Sequence, residues 1–489
     1  MKLCELILED ECKLNEEDKN IEIKRICTSL DNFGPNCLFF IFSERTLKDF
    51  IKQKKKCGVV IVDKNIDSTD KISSRVILYR CDNARKLLAF AHFRFSGIET
   101  SPLRFIGITG TNGKTSTAIL TTEILKHAGY KVGFIGTGRI EYDGLSFCEA
   151  SYSMTTPDPW MLYPIIRKMQ LRGCEVIVME VSSHALALEK ISPITFDYGV
   201  FTNLSAEHLD FHNGIEEYFT SKKKLFSQCK KAIFNLDDHY ARRAYAERAG
   251  EKIGIGILWK GDVWATGIEN NGFSGIEYMY RTHSYLFKMS LSLAGIHNIY
   301  NSMLATAVCT DMGVKPCLAK EALRSVSTLP GRFEIIKSDI TVIIDYAHTA
   351  FAFENLLKEI HRAKLPKEEL WTVFGCGGDR DRAKRPLFAK SSEKYADKII
   401  VTSDNSRDED IKQIISDIAV GFVSDNYEVI EDRKSAIEYA ICQAPDNAVI
   451  AIIGKGAEKY NIDKNGYHPF DERQIILDSL KCRKEKILL

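Results

Sequence analysis

The stretch Thr109-Gly110-Thr111-Asn112-Gly113-Lys114-Thr115-Ser116 follows a strand-like run, Arg104–Ile108, and opens a helix-like run from about Lys114 to His127, with Gly129 as its stop. Strand, glycine-rich turn and helix is the order a phosphate cradle requires. Glycines let backbone N–H groups converge on phosphate oxygens, and the helix N-terminus adds a favourable dipole. In such a loop Gly110, Thr111, Asn112, Gly113, Lys114, Thr115 and Ser116 surround a triphosphate, with Lys114 on the β/γ-phosphates and Thr115 on Mg²⁺. The general spacing wants a glycine five residues before Gly113. Ile108 stands there, so the loop is a tighter variant.

Outward from the loop, strand-like runs read at Lys131–Ile135, Val176–Met179, Tyr198–Thr202 and Ala232–Asn235, with helical patterns between most of them. This alternation predicts a parallel sheet with helices on both faces. Further on, TVIID, LWTVFG, KIIVTS and AVIAIIG end in YAHT, CGGDRDR, DNSRDED and KGAEK. Ligands bind beyond the carboxyl ends of strands in open parallel sheets, so these four loops are expected along one edge. Before the phosphate loop lie CLFFIF and GVVIV, and Gly97–Pro102 reads as a linker. The expectation is an α/β protein of three domains. A small N-terminal α/β domain covers 1–99, a central P-loop-type parallel sheet with helices on both faces covers 100–331, and a Rossmann-like C-terminal α/β domain covers 332–489.

A length of 489 residues suits about three domains. The net charge of +1 gives no field favouring nucleic acid, and no apolar run reaches the ~18 residues of a membrane span. Fourteen cysteines are scattered with no C-x-x-C pair, which points to reduced thiols in a cytoplasm. The start, MKLCELILEDECK, has acids where a secretory signal has basic residues. No N-K-x-D base-reading motif occurs, which argues against a GTP switch.

Read in order, TGTNGKTS, SMTTPDP, MEVSSHAL, FTNLSAEHLDFH, EEYFTSKKKLF, AGIHNIYNSMLA, LPGRFE, IDYAHT, VFGCGGDRDRAKRP, TSDNSRDED and GKGAEKY resemble the Mur ligase family, and within it the ligases that add the third amino acid of the muramyl peptide. The resemblance implies a cytoplasmic, monomeric ligase that uses ATP and Mg²⁺. It would join a diamino acid to UDP-N-acetylmuramoyl-L-alanyl-D-glutamate through an acyl phosphate, in peptidoglycan synthesis. It assigns the uridine nucleotide to the first domain, ATP to the second and the amino acid to the third.

By the same resemblance Glu180 and His208, each just after a strand, would join Thr115 at a divalent metal, a task that suits a carboxylate and an imidazole. Lys222 would react with CO₂ to give N6-carboxylysine, whose carbamate serves a second Mg²⁺. That step needs a neutral amine, so burial or nearby charge must lower its pKa. On a helix Lys223 and Lys224 would point about 100° and 200° away, so one of the three faces the site; the alternative is a solvated basic stripe. His212 reads as structural. Asn301 would approach the adenine with Asn298 beside it, helix capping being the alternative. Arg332 and Asp345 would complete the ATP site, with His348 at the same edge.

Thr155, Thr156, Ser182 and Lys190 match positions that hold the muramyl peptide. Lys190 stands where the family usually has arginine, and lacks the guanidinium fork. Ser29, in Thr28-Ser29-Leu30, is the nearest counterpart of the uridine-binding Ser-Arg pair, without the arginine. Arg380, Asp404, Asn405, Arg407, Gly454 and Glu458 match positions that hold the diamino acid. Enzymes adding meso-diaminopimelate usually carry Asp-Asn-Pro-Arg where this chain has Asp404-Asn405-Ser406-Arg407. Arg407 suits the distal carboxylate of diaminopimelate. Losing the proline frees the loop backbone, so lysine and ornithine stay open as alternatives, as does a surface role for Arg407. Another ligase of the superfamily, similar to folylpolyglutamate synthase, is the competing family reading. Such relatives lack GGDRDR, DNSR and GKGAEK as a group. A non-catalytic nucleotide-binding module is the competing class.

Overall fold

The computed structural model describes residues 1–27, 29–52, 58–67, 72, 76–98, 103–149, 152–207 and 211–487. His208, Thr28 and the 99–102 part of the expected linker lie outside the described residues.

The strand Arg104–Thr109 leads through the glycine-rich turn into the helix Lys114–His127. Successive side chains of a strand point to opposite faces. Ile106 and Ile108 enter a core shared with the helices Lys114–His127 and His297–Asp311, while Phe105 enters a second core with Pro159–Leu171 and Ile215–Ser227. The strand Val176–Glu180 repeats this, with Val176 and Val178 in the first core and Ile177 and Met179 in the second. Both faces are covered, which is why these strands read as unbroken apolar runs.

The sheet has eleven strands. Its middle is parallel, in the order Val263–Asn270, Glu251–Gly256, Cys229–Asn235, Phe196–Phe201, Arg104–Thr109, Val176–Glu180, Val132–Gly136. Antiparallel ribbons finish both ends: Ile276–Thr282 and Leu286–Leu291 on one side, Arg139–Tyr142 and Leu145–Ser146 on the other. The expected parallel sheet is therefore right for the middle and incomplete at the edges. There the signal is only a period-two alternation, such as buried Ile276, Tyr278 and Tyr280 opposite Met289 and Leu291.

In the last third of the chain a six-stranded sheet runs Glu334–Lys337, Thr341–Asp345, Val449–Ile453, Leu370–Phe374, Lys398–Val401, Tyr427–Val429, parallel except for the first pair. Thr341–Asp345, Val449–Ile453, Leu370–Phe374 and Lys398–Val401 are neighbours, so the loops after them stand side by side, as expected. Near the N-terminus Arg25–Cys27, Cys37–Ile41, Val59–Asp63 and Ile77–Cys81 form a four-stranded parallel sheet. The helix Ala84–Phe95 ties it to the middle region, where Phe93 meets Tyr163 edge-on at 5.5 Å between ring centroids. Among the described residues no helix is long and apolar enough to cross a membrane.

Candidate functional site

Two glycines shape the phosphate loop. Gly110 has φ 146°, and a Cβ there would stand 1.9 Å from Thr202 Oγ1. Gly113 caps the helix Lys114–His127 in the left-handed region at φ 82°, where a Cβ would lie 2.6 Å from Asn301 Oδ1. Asn112 N–H donates to Asn203 Oδ1 at 3.0 Å, Thr111 Oγ1 lies 3.3 Å from Tyr218 Oη, and Ser116 is buried. Asn301 accepts from Thr117 Oγ1 at 3.2 Å and donates to Asn298 Oδ1 at 3.0 Å, so the asparagine pair is braced against the loop's own helix.

Lys222, on the helix Ile215–Ser227, is 1% exposed and donates to the Gly110 carbonyl at 2.7 Å. Lys114 donates to the same carbonyl at 3.0 Å and to Thr111 O at 2.7 Å. Burial first, and the Lys114 charge second, hold the Lys222 pKa well below the ordinary lysine value. Burial also lowers Lys114, against the pull of Glu207 and Glu180. Lys223 and Lys224 turn away to Glu247 and Glu189. The expectation that one lysine of the three faces the loop holds for Lys222.

Glu180 ends its strand fully buried. Its carboxylate accepts from Thr115 Oγ1 at 2.9 Å, Thr137 N–H at 3.0 Å and Thr137 Oγ1 at 3.3 Å. Gly136 makes room: a Cβ there would stand 2.3 Å from Glu180 Oε1. The thread continues from Thr137 Oγ1 to Thr155 Oγ1 at 3.0 Å. Thr156 Oγ1 donates to the Glu180 carbonyl at 2.9 Å and accepts from Ser182 N–H at 3.0 Å. Thr155 thus reaches the carboxylate through Thr137, while Thr156 and Ser182 gather at the Glu180 backbone carbonyl. Lys190 pairs with Asp158 at 2.7 Å, and His212 is buried beside Ser183 at 3.1 Å. Among the described residues no three His, Cys, Asp or Glu side chains gather as a metal nest. Thr115 and Glu180 offer oxygen donors that fit Mg²⁺ only with phosphate oxygens and water completing the shell, the usual habit of that ion.

The third region closes over this loop. Arg332 donates to Thr115 Oγ1 at 3.3 Å, with its guanidinium carbon 4.4 Å from the Tyr346 ring centroid. Asp345 accepts from Phe333 N–H at 2.6 Å and Ala347 N–H at 2.7 Å, and burial raises its pKa. His348 Nε2 lies 2.8 Å from Glu207 Oε1, joining regions 141 positions apart.

Along the edge of the six-stranded sheet, Asp404, Asn405, Gly454 and Glu458 come together. Asn405 Nδ2 donates to Glu458 Oε2 at 3.0 Å, and a Cβ on Gly454 would lie 2.7 Å from Asp404 Oδ2. Burial pushes the Asp404 pKa up, but Lys455 and Arg433 prevail and hold it below the usual range; burial raises Glu458. Arg407, at φ 52°, donates through Nη1 to Gly378 O at 2.7 Å and Asn405 O at 3.3 Å. A Cβ on Gly377 would meet both Arg407 Nη1, at 3.0 Å, and Arg380 Cγ, at 3.8 Å, so the glycine lets both arginines crowd one side of the loop. Arg380 is exposed. Ser29 stands apart from both clusters, exposed, capping Leu30–Asn32 by accepting from Asp31 N–H at 3.3 Å.

The Mur ligase middle domain matches residues 108–309, and the Mur ligase glutamate ligase domain matches 331–456. A UDP-N-acetylmuramoyl-L-alanyl-D-glutamate--2,6-diaminopimelate ligase of Clostridium acetobutylicum is 34% identical over 489 residues, covering 98% of this chain and 99% of that one. The chain belongs to the Mur ligase family. A ligase of the same name from Aquifex aeolicus is 40% identical over 438 residues, 88% of each chain. A solved structure of such a ligase, 24% identical, agrees with a TM-score of 0.68 over 99% of both chains, a likeness of fold.

Within this Mur ligase, sequence reasoning missed Thr137, Glu207 and Lys455. Thr137, in GTGRI, carries no signal beyond its place after a strand. Glu207 stands beside His208 in a segment already singled out, but its partner lies in another region. Lys455 sits inside GKGAEKY, between two residues that were chosen.

Proposed function

We propose that the chain is the ATP-dependent ligase that joins meso-diaminopimelate to UDP-N-acetylmuramoyl-L-alanyl-D-glutamate in peptidoglycan synthesis. The observation that carries this reading is the meeting of Lys114, Lys222 and the Glu180–Thr115 pair at one glycine-rich loop, with Arg332 reaching Thr115 from the region that holds the Asp404–Asn405–Glu458 cluster. The names of the relatives agree with it.

In this reading the loop amides and Lys114 hold ATP, and Asn301 lies under the adenine. Thr155, Thr156, Ser182 and Lys190 hold the peptide, whose carboxylate attacks the γ-phosphorus to give an acyl phosphate and ADP. Both reactants are anions, so cations must bring them together. Thr115, Glu180 and His208 would hold Mg²⁺, which would supply charge neutralisation there. The lowered pKa of Lys222 favours the neutral amine, which would add to CO₂ with loss of a proton to give a carbamate. Arg332, Asp345 and His348 bring the third region down over the acyl phosphate and exclude water. The amine of diaminopimelate, held by Arg380, Asp404, Asn405, Arg407, Gly454 and Glu458, then attacks the carbonyl and phosphate leaves. Residues 1–99 carry the uridine nucleotide near Ser29. The enzyme is read as a monomer, and a nucleotide-linked substrate suits an enzyme of the cytoplasm.

The test is one panel: purified protein, ATP, UDP-muramyl dipeptide and, separately, diaminopimelate, lysine or ornithine, with products read by mass. The expected product is the diaminopimelate adduct. Phosphate release indifferent to the dipeptide would overturn the reading, and a lysine or ornithine adduct alone would overturn its amino-acid part.

A further inference from the structure

Lys455 has no part in the chemistry above, yet its charge is fully enclosed in the third region. Its side chain is 0% exposed. A buried ammonium is costly unless it is paired and hydrogen-bonded. Here Nζ donates to Asn405 Oδ1 at 2.9 Å and stands 3.6 Å from Asp404 Oδ1 and 3.8 Å from Glu458 Oε2. Asn405 Oδ1 also accepts from Ile462 N–H at 2.9 Å. With two donors on its oxygen, the amide cannot flip without setting its NH₂ against both of them. Its NH₂ is therefore held toward Glu458 Oε2.

The charges of the cluster can be counted. Arg433 and Glu472 pair at 2.6 Å and cancel, which leaves Lys455 against the carboxylates of Asp404 and Glu458. That remainder is one net negative charge, enough for one incoming ammonium. The Arg407 guanidinium, on the same loop as Asn405, is the complement for a carboxylate.

We propose that Lys455 is a positioning residue for the amino-acid substrate: it aims the Asn405 amide and balances Asp404 and Glu458, so that the cluster accepts an amino-acid end carrying one ammonium and one carboxylate. The inference rests on the ligase reading. It adds to that reading a residue that selects the substrate without touching it.

Steady-state kinetics on the full chain test it, with Lys455→Met, Lys455→Gln, Asn405→Ala and the Lys455→Met/Asn405→Ala double variant beside the unaltered protein. In Lys455→Met the KM for diaminopimelate rises about ten-fold or more, while the KM values for ATP and the UDP-linked dipeptide stay within about two-fold. The double variant falls short of the two single effects combined, because part of what Lys455 does runs through Asn405 while its balance of Asp404 and Glu458 does not. Lys455→Gln keeps an N–H for Asn405 but no charge. It shows a smaller rise that falls further at lower pH, as one carboxylate takes up a proton, and it carries the test if Lys455→Met does not fold. An unchanged KM for diaminopimelate in a folded variant, an equal rise for all three substrates, or additive effects in the double variant would overturn the proposal. Absence of product from the unaltered chain with every diamino acid overturns the ligase reading and this inference with it.

Discussion

Lys114 and Lys222 meet at a single atom, the carbonyl oxygen of Gly110, to which one donates at 3.0 Å and the other at 2.7 Å. Two ammonium groups sharing one acceptor inside the protein repel each other. Burial first, and this Lys114 charge second, keep the Lys222 pKa well below the ordinary lysine value.

The first prediction follows from that lowered pKa. A lysine that holds its proton less tightly when folded costs stability at low pH, and the cost fades as pH rises from its folded pKa toward the unfolded value of 10.5. In CO₂-free buffer the melting temperature of the native chain, relative to Lys222→Met, should rise between neutral pH and about pH 10. A constant difference would contradict the shift. In the ligase assay the same variant should lose activity by roughly 10²–10³, the scale for removing one preorganised group at a developing charge.

Gly113→Ala tests the loop. Its φ of 82° is costly for alanine, and the new methyl would press on Asn301 Oδ1. A loss of about 1–3 kcal/mol is expected from denaturant midpoints, together with weakened ATP binding. Gly129→Ala is the control. Its φ is 92° but a Cβ there meets nothing within 4 Å, so it should show only the backbone cost and keep ATP affinity.

Arg332→Ala removes the bond to Thr115 and the stack on Tyr346 together. The ATP KM should rise by about 5–30-fold, corresponding to ~1–2 kcal/mol, with the fold intact by circular dichroism. An unchanged KM would remove Arg332 from the nucleotide site.

Arg407→Lys keeps the charge and loses the planar fork. The KM for diaminopimelate should rise by at least about ten-fold while residual use of lysine is unaffected, since lysine has no distal carboxylate. Equal losses for both amino acids would point to a damaged loop instead, because Arg407 also braces Gly378 O.

Much of this was legible in the sequence because it rests on local order. The strand–loop–helix around Gly110 and the helix Lys114–His127 follow from glycine placement and apolar spacing. Helical angle says that one lysine of Lys222, Lys223 and Lys224 faces the loop, and the resemblance to the family singles out Lys222. The contacts that finish the site were not legible. Thr137 fixes Glu180 across 43 positions, Glu207 reaches His348 across 141, and Lys190 is already paired with Asp158. Such pairings depend on which strands lie side by side, and local pattern does not specify that. The ribbons flanking the large sheet were missed for a different reason: their alternation is faint beside the apolar runs of the middle.

Those ribbons decide what the sheet offers to other molecules. An unpaired strand border is a template for fibre growth. At one border stands the two-residue, exposed Leu145–Ser146, too short to seed another strand. At the other, Leu286–Leu291 places half-exposed Lys288 within 2.8 Å of Glu277 and 3.7 Å of Glu269, a charged fringe that a stacking neighbour would have to strip of water. The long sheet behind the phosphate loop thus ends, through its least conspicuous strands, on borders that offer little to a stacking strand.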